Sequence, residues 1–104
     1  MPWLTLTIAG LLEIVWATAM KQSDGFTKPW PTTVMVVGMI ASFWLLAIAM
    51  RQLPLGTAYM VWTGIGAVGS FILGIILMGE PVTPARLFAA ALILAGILAM
   101  KMAS

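Results

Sequence analysis

Gly10-Leu11-Leu12-Glu13-Ile14-Val15-Trp16 sets a single carboxylate in the middle of a run that is otherwise apolar from Trp3 to Met20. At about 1.5 Å per helical residue, Glu13 lies roughly 15 Å into that run, close to the midplane of a hydrocarbon core about 30 Å thick. An acidic side chain at that depth costs about 2.5 to 3.5 kcal/mol on insertion scales, so such residues face a bundle interior and mark ion or proton pathways. The stretch therefore reads as a membrane helix and as the seat of a functional acid.

Working outward, the first run lacks the basic leading region of a secretory signal and is followed by three more apolar runs, so it is expected to persist as a helix. Those runs extend from Pro31 to Met50, Gly56 to Met78 and Ala85 to Met100, each near the length a helix needs to cross a bilayer. The links Lys21 to Pro29, Arg51 to Gly56 and Gly79 to Pro84 are short and rich in Pro, Gly and polar residues, which suits antiparallel neighbours. Backbone groups in lipid must be satisfied internally, and no segment alternates as a barrel strand would. The expected fold is all-α integral membrane, four transmembrane helices in one domain over residues 1–104, with helices near 3–20, 31–50, 56–78 and 85–100.

Composition sets the outer limits. With 62% hydrophobic and 8% charged residues and a mean hydropathy of +1.11, 104 residues could not bury their apolar surface in one water-soluble core. Lys21, Lys28, Arg51, Arg86 and Lys101 stand against Glu13, Asp24 and Glu80, too sparse a charge pattern for nucleic acid. The absence of Cys removes disulfides and thiolate chemistry, and the absence of His removes the usual neutral-pH proton carrier. Proton chemistry falls to carboxylates. There is no nucleophile–base pair, phosphate loop or metal cluster, so neither an enzyme nor a cofactor is expected.

The basic residues bear on orientation. Arg51 and Lys101 lie on the side of the termini, against Lys21, Lys28 and Arg86 on the other, a bias of one residue. Since topology follows this difference, insertion in both orientations is expected, with opposite copies pairing as an antiparallel homodimer. Such a dimer would bring two Glu13 side chains to one cavity on a two-fold axis in the membrane plane.

Around Glu13, Leu6, Ala9, Gly10, Trp16, Ala17 and Met20 recur at spacings of three and four and share its face. Gly10 permits close helix approach or room for a ligand, and Trp16 offers a π face and an N–H one turn from the acid. On the second run Ser42 is the deepest polar residue; it either orients Glu13 or bonds its own carbonyl four residues back. Phe43 and Trp44 read as lipid or packing contacts. On the third run Tyr59, Trp62, Thr63 and Gly66 read as one face, carrying a phenol, an indole and a hydroxyl to membrane depth, and Gly64, Gly66 and Gly69 read as a hinge or a tight crossing. The fourth run has no polar residue between Arg86 and Lys101; its small residues Ala89 and Gly96 make it an assembly surface.

These residues together resemble the small multidrug resistance family of bacterial inner-membrane exporters, from the first helix to Lys101. The resemblance rests on Glu13, on the loop Asp24-Gly25-Phe26-Thr27-Lys28, on Leu53-Pro54-Leu55-Gly56-Thr57-Ala58-Tyr59 and on Val61-Trp62-Thr63-Gly64-Ile65-Gly66-Ala67. It implies a dual-topology homodimer and cation/proton antiport centred on paired Glu13, in a multi-pass protein of the bacterial inner membrane. Within the family, Trp16, Trp62 to Ala67 and Lys101 follow the guanidinium-exporter subtype, which implies a shell of Trp16, Ser42, Tyr59 and Trp62 around Glu13. Ala41-Ser42-Phe43-Trp44-Leu45-Leu46-Ala47 is similar to the quaternary-ammonium drug exporters, and Ala89 stands where the family's dimer motif often has Gly. A drug exporter of the same family is thus the alternative, and a non-transporting membrane assembly subunit the third reading.

Overall fold

The structure, a computed structural model, describes residues 2–103. Four helices follow in order: α1 Pro2–Gln22, α2 Pro29–Ala49, α3 Leu55–Met78 and α4 Pro84–Met102. All four are long and apolar enough to cross a membrane. Proline opens α1, α2 and α4 and caps α3 at Pro54, where its fixed φ suits the first turn and its missing N–H has no helical partner to lose. The helices reach beyond several of the apolar limits, through Lys21, Gln22, Lys101 and Met102. Hydropathy reads where lipid ends, whereas the hydrogen-bonded turns continue into the polar boundary.

The ends are built by specific devices. Gly79 closes α3 in the left-handed conformation, φ 66°, and the Glu80 N–H returns to the Gly74 carbonyl at 3.1 Å. The Thr83 hydroxyl caps α4 by accepting from the Arg86 N–H at 3.2 Å. Between α1 and α2, Asp24, Gly25 and Phe26 are all left-handed, φ 51°, 71° and 69°. Ser23, fully buried, pins that turn: its hydroxyl donates to the Met20 carbonyl at 2.7 Å and accepts from the Phe26 N–H at 3.1 Å.

The packing order is α2, α1, α3, α4, so the helix bearing Glu13 has neighbours on both sides. Glycines let α1 and α3 approach closely: a Cβ built at Gly10 would lie 2.7 Å from Ile65 Cγ2, and one at Gly69 would collide with Ile14. Leu6, Ala9, Leu46, Ala49, Ala58, Val61 and Trp62 form the core where α1, α2 and α3 meet. Helix α4 packs mainly on α3, with Ile97 against Gly64, and has no buried residue. Its far end is tied by the Thr57 hydroxyl, 3.7 Å from Met100 Sδ, and by the Lys101 ammonium 5.7 Å from the Trp3 ring centroid. The result is a slab of 40 × 34 × 16 Å.

Candidate functional site

Glu13 projects from the middle of α1 toward α3, and its carboxylate lies against Gly66. A Cβ built at Gly66 would collide with that carboxylate, so the missing side chain is what gives the acid its seat. Oε1 of Glu13 is buried and has no hydrogen-bond partner among the described residues; the same holds for Nε1 of Trp16, three residues on. An acceptor and a donor are thus both unmet on one helix face, a cost of about 1–3 kcal/mol for each buried neutral polar group and more for a charged one. The stem of Trp16 packs over Gly38 of α2, where a Cβ would lie 3.2 Å from Trp16 Cβ.

Of the two roles expected from spacing, Ser42 does not take the bond to its own carbonyl four residues back. Its hydroxyl donates across the helix boundary to the Ala9 carbonyl at 2.6 Å and accepts from Trp62 Nε1 at 3.0 Å. In a regular helix the Ala9 carbonyl also accepts from the Glu13 N–H, and its two lone pairs permit both bonds. Ser42 therefore fastens the backbone turn that carries the acid, and joins α1, α2 and α3 by hydrogen bonds to Ala9 and Trp62.

An aromatic row runs beside it. Trp16 and Phe43 meet edge to face at 6.1 Å, Phe43 and Trp62 at 5.6 Å, and Trp62 and Tyr59 at 5.7 Å between centroids. Phe43 is a packing contact, as expected, and the rings it packs against are those of Trp16 and Trp62. Its place between two tryptophans of other helices depends on how α2 docks, which no spacing within α2 reveals.

Helix α3 departs from the single polar face expected of it. Trp62 and Gly66 are buried toward α1, while Thr63 and Gly64 turn to α4, since adjacent residues differ by about 100° around a helix. Tyr59, 53% exposed, stands at the rim between the two. An apolar groove of about 370 Å³ separates α3 from α4, lined by Tyr59, Thr63, Gly64, Ile93, Gly96 and Ile97. The glycines are filled by neighbours: Gly10 by Ile65, Gly64 by Ile97, Gly66 by Glu13. Ala89 and Gly96 lie exposed on α4. The geometry thus gathers Glu13, Trp16, Ser42 and Trp62, adds Phe43, Gly38 and Gly66, and leaves Tyr59 at the edge.

A family model described as "Small Multidrug Resistance protein" matches residues 1–93 of this chain. The chain belongs to the small multidrug resistance family. Among its relatives, a protein of Yersinia pseudotuberculosis serotype I (strain IP32953) named "Guanidinium exporter" is 56% identical over 104 residues, 100% of each chain. Proteins of the same name from Citrobacter freundii and Escherichia coli (strain K12) are 53% identical over 104 residues, 100% of this chain and 99% of theirs. With four spanning-length apolar helices, this small multidrug resistance family member is a multi-pass membrane protein.

Proposed function

We propose that this chain is a single transporter domain that exports guanidinium, or small substituted guanidinium cations, across the bacterial inner membrane in exchange for protons. The observation that carries the reading is the Glu13 carboxylate seated on Gly66, its Oε1 buried and unpaired beside an unpaired Trp16 N–H. Guanidinium is planar and permanently charged, so a carboxylate can hold it through two parallel N–H···O bonds while an indole face stacks on it. Full-length likeness to relatives named "Guanidinium exporter" supports this cargo.

The slab is 16 Å in its thinnest extent, and α4, with no buried residue, offers a bare apolar face. Two copies in opposite orientations would close a cavity around two Glu13 side chains, with α4 as the assembly surface. Proton and cation then compete for the same carboxylates. If both release their protons to bind one monovalent cation, each cycle exchanges two protons for one guanidinium, and the inward proton gradient drives export. Exchanging the conformations of the two copies would open the site to either face.

The test is proton flux in liposomes under an imposed proton gradient, on adding guanidinium or a bulky quaternary ammonium cation, with Glu13→Gln alongside. Flux with guanidinium alone, lost in the variant, is the expected result. Flux with both cations would assign the chain to the drug-exporting branch, and robust guanidinium-driven flux in Glu13→Gln would sink the mechanism.

A further inference from the structure

A second carboxylate shares the seam that holds Glu13. Past Glu13 and Gly66, toward the link between α3 and α4, the facing positions are Ala17 and Ser70, then Lys21 and Gly74. There Glu80 folds back from the link, and its carboxylate lies on Gly74, where a Cβ would collide with it. Each acid thus rests on a glycine of α3, and Gly66 and Gly74 are about 12 Å apart along the helix. On the Glu80 side of this seam lies a cavity of about 140 Å³, lined by Thr18, Lys21, Ser70, Gly74, Met78 and Glu80. Its lining is mostly apolar but includes Thr18, Ser70, Lys21 and Glu80, and it is large enough for a small cation with some of its water.

Glu80 already accepts a guanidinium, that of Arg86, whose Nη2 lies 3.5 Å from Oε1. Both side chains are more than one-third exposed, and one long contact between such groups holds weakly. The carboxylate keeps lone pairs free for further N–H donors. The Arg86 guanidinium also lies 5.2 Å from the Phe71 ring centroid, so it has a second resting place when released.

Building on the guanidinium-export reading, we infer that Glu80 is an outer docking site for the transported cation, at the mouth of the α1–α3 seam. Arg86 is its tethered occupant, displaced by the free cation passing to or from Glu13. Lys21 on the facing wall keeps the site weak, which suits a transit position, since conduction needs a site that also releases.

The experiment compares KM and Vmax for guanidinium-driven proton flux in liposomes among wild type, Glu80→Gln, Glu80→Asp and Arg86→Gln, with Arg51→Gln as a control at the other membrane face. Glu80→Gln is expected to raise KM at least fivefold with Vmax within twofold, Glu80→Asp to recover most of that loss, and Arg86→Gln to lower KM at least twofold. A merely structural ion pair would shift the Gln variants of Glu80 and Arg86 in the same direction, which would overturn the proposal, as would an unchanged KM in Glu80→Gln. Binding of ¹³C-guanidinium to Glu13→Gln protein, read by saturation-transfer NMR, decides the site apart from transport. Weak binding that disappears on adding Glu80→Gln supports it, and no binding refutes it. A wild type that moves no protons with guanidinium would remove the exporter reading while leaving this second measurement to judge Glu80.

Discussion

At the scale of single residues, space matters as much as charge. Glu13 is legible in the sequence because a lone acid in an apolar helix is costly and so conspicuous. Its seat is not legible, because Gly66 lies on another helix and acquires its role only from the register of α1 against α3. The same is true of Gly38 beneath Trp16 and of Phe43 between Trp16 and Trp62. Gly66→Ala places a methyl where the carboxylate rests, and such overpacking costs about 1–3 kcal/mol. Guanidinium-coupled proton flux is expected to fall about tenfold or more, each 1.4 kcal/mol being a factor of ten. Gly56→Ala, whose added methyl meets nothing within 4 Å, is the matched control and should leave flux unchanged in the same liposome assay.

Among the elements, the apolar runs announced four helices, while their ends and partners came from devices that hydropathy does not register. Ser42 shows the limit: depth marked it out, yet its partners Ala9 and Trp62 sit on two other helices. Spacing within α2 offered a self-bond or a role in orienting Glu13, and named neither partner. The single face expected of Tyr59, Trp62, Thr63 and Gly66 divides because α3 is packed on two sides, by α1 and by α4. At the C-terminus of α3, Gly79 holds φ 66°, which costs an L-residue roughly 1–2 kcal/mol. Gly79→Ala is therefore expected to lower unfolding free energy by about that amount, measured by denaturant titration of the purified protein in mild detergent.

For the whole molecule, the small imbalance of basic residues predicts a readily shifted orientation. Removing Lys28 and Arg86 as Gln leaves Arg51 and Lys101 on the terminal side against Lys21 on the other, reversing the bias. Reporters fused to the C-terminus should show mixed facing for the wild type and a shift toward termini in the cytoplasm for the double variant. One-sided wild-type reporters would rule out the antiparallel pair. The packing order α2, α1, α3, α4 also carries a consequence for biosynthesis. The ribosome finishes α1 and α2 before it makes Gly66, roughly fifty residues after Glu13. At about 5–20 residues per second, the acid waits some three to ten seconds for its seat. During that interval the nascent hairpin must hold a carboxylate in lipid with help from water or the insertion machinery, so the birth of this protein passes through its least comfortable state.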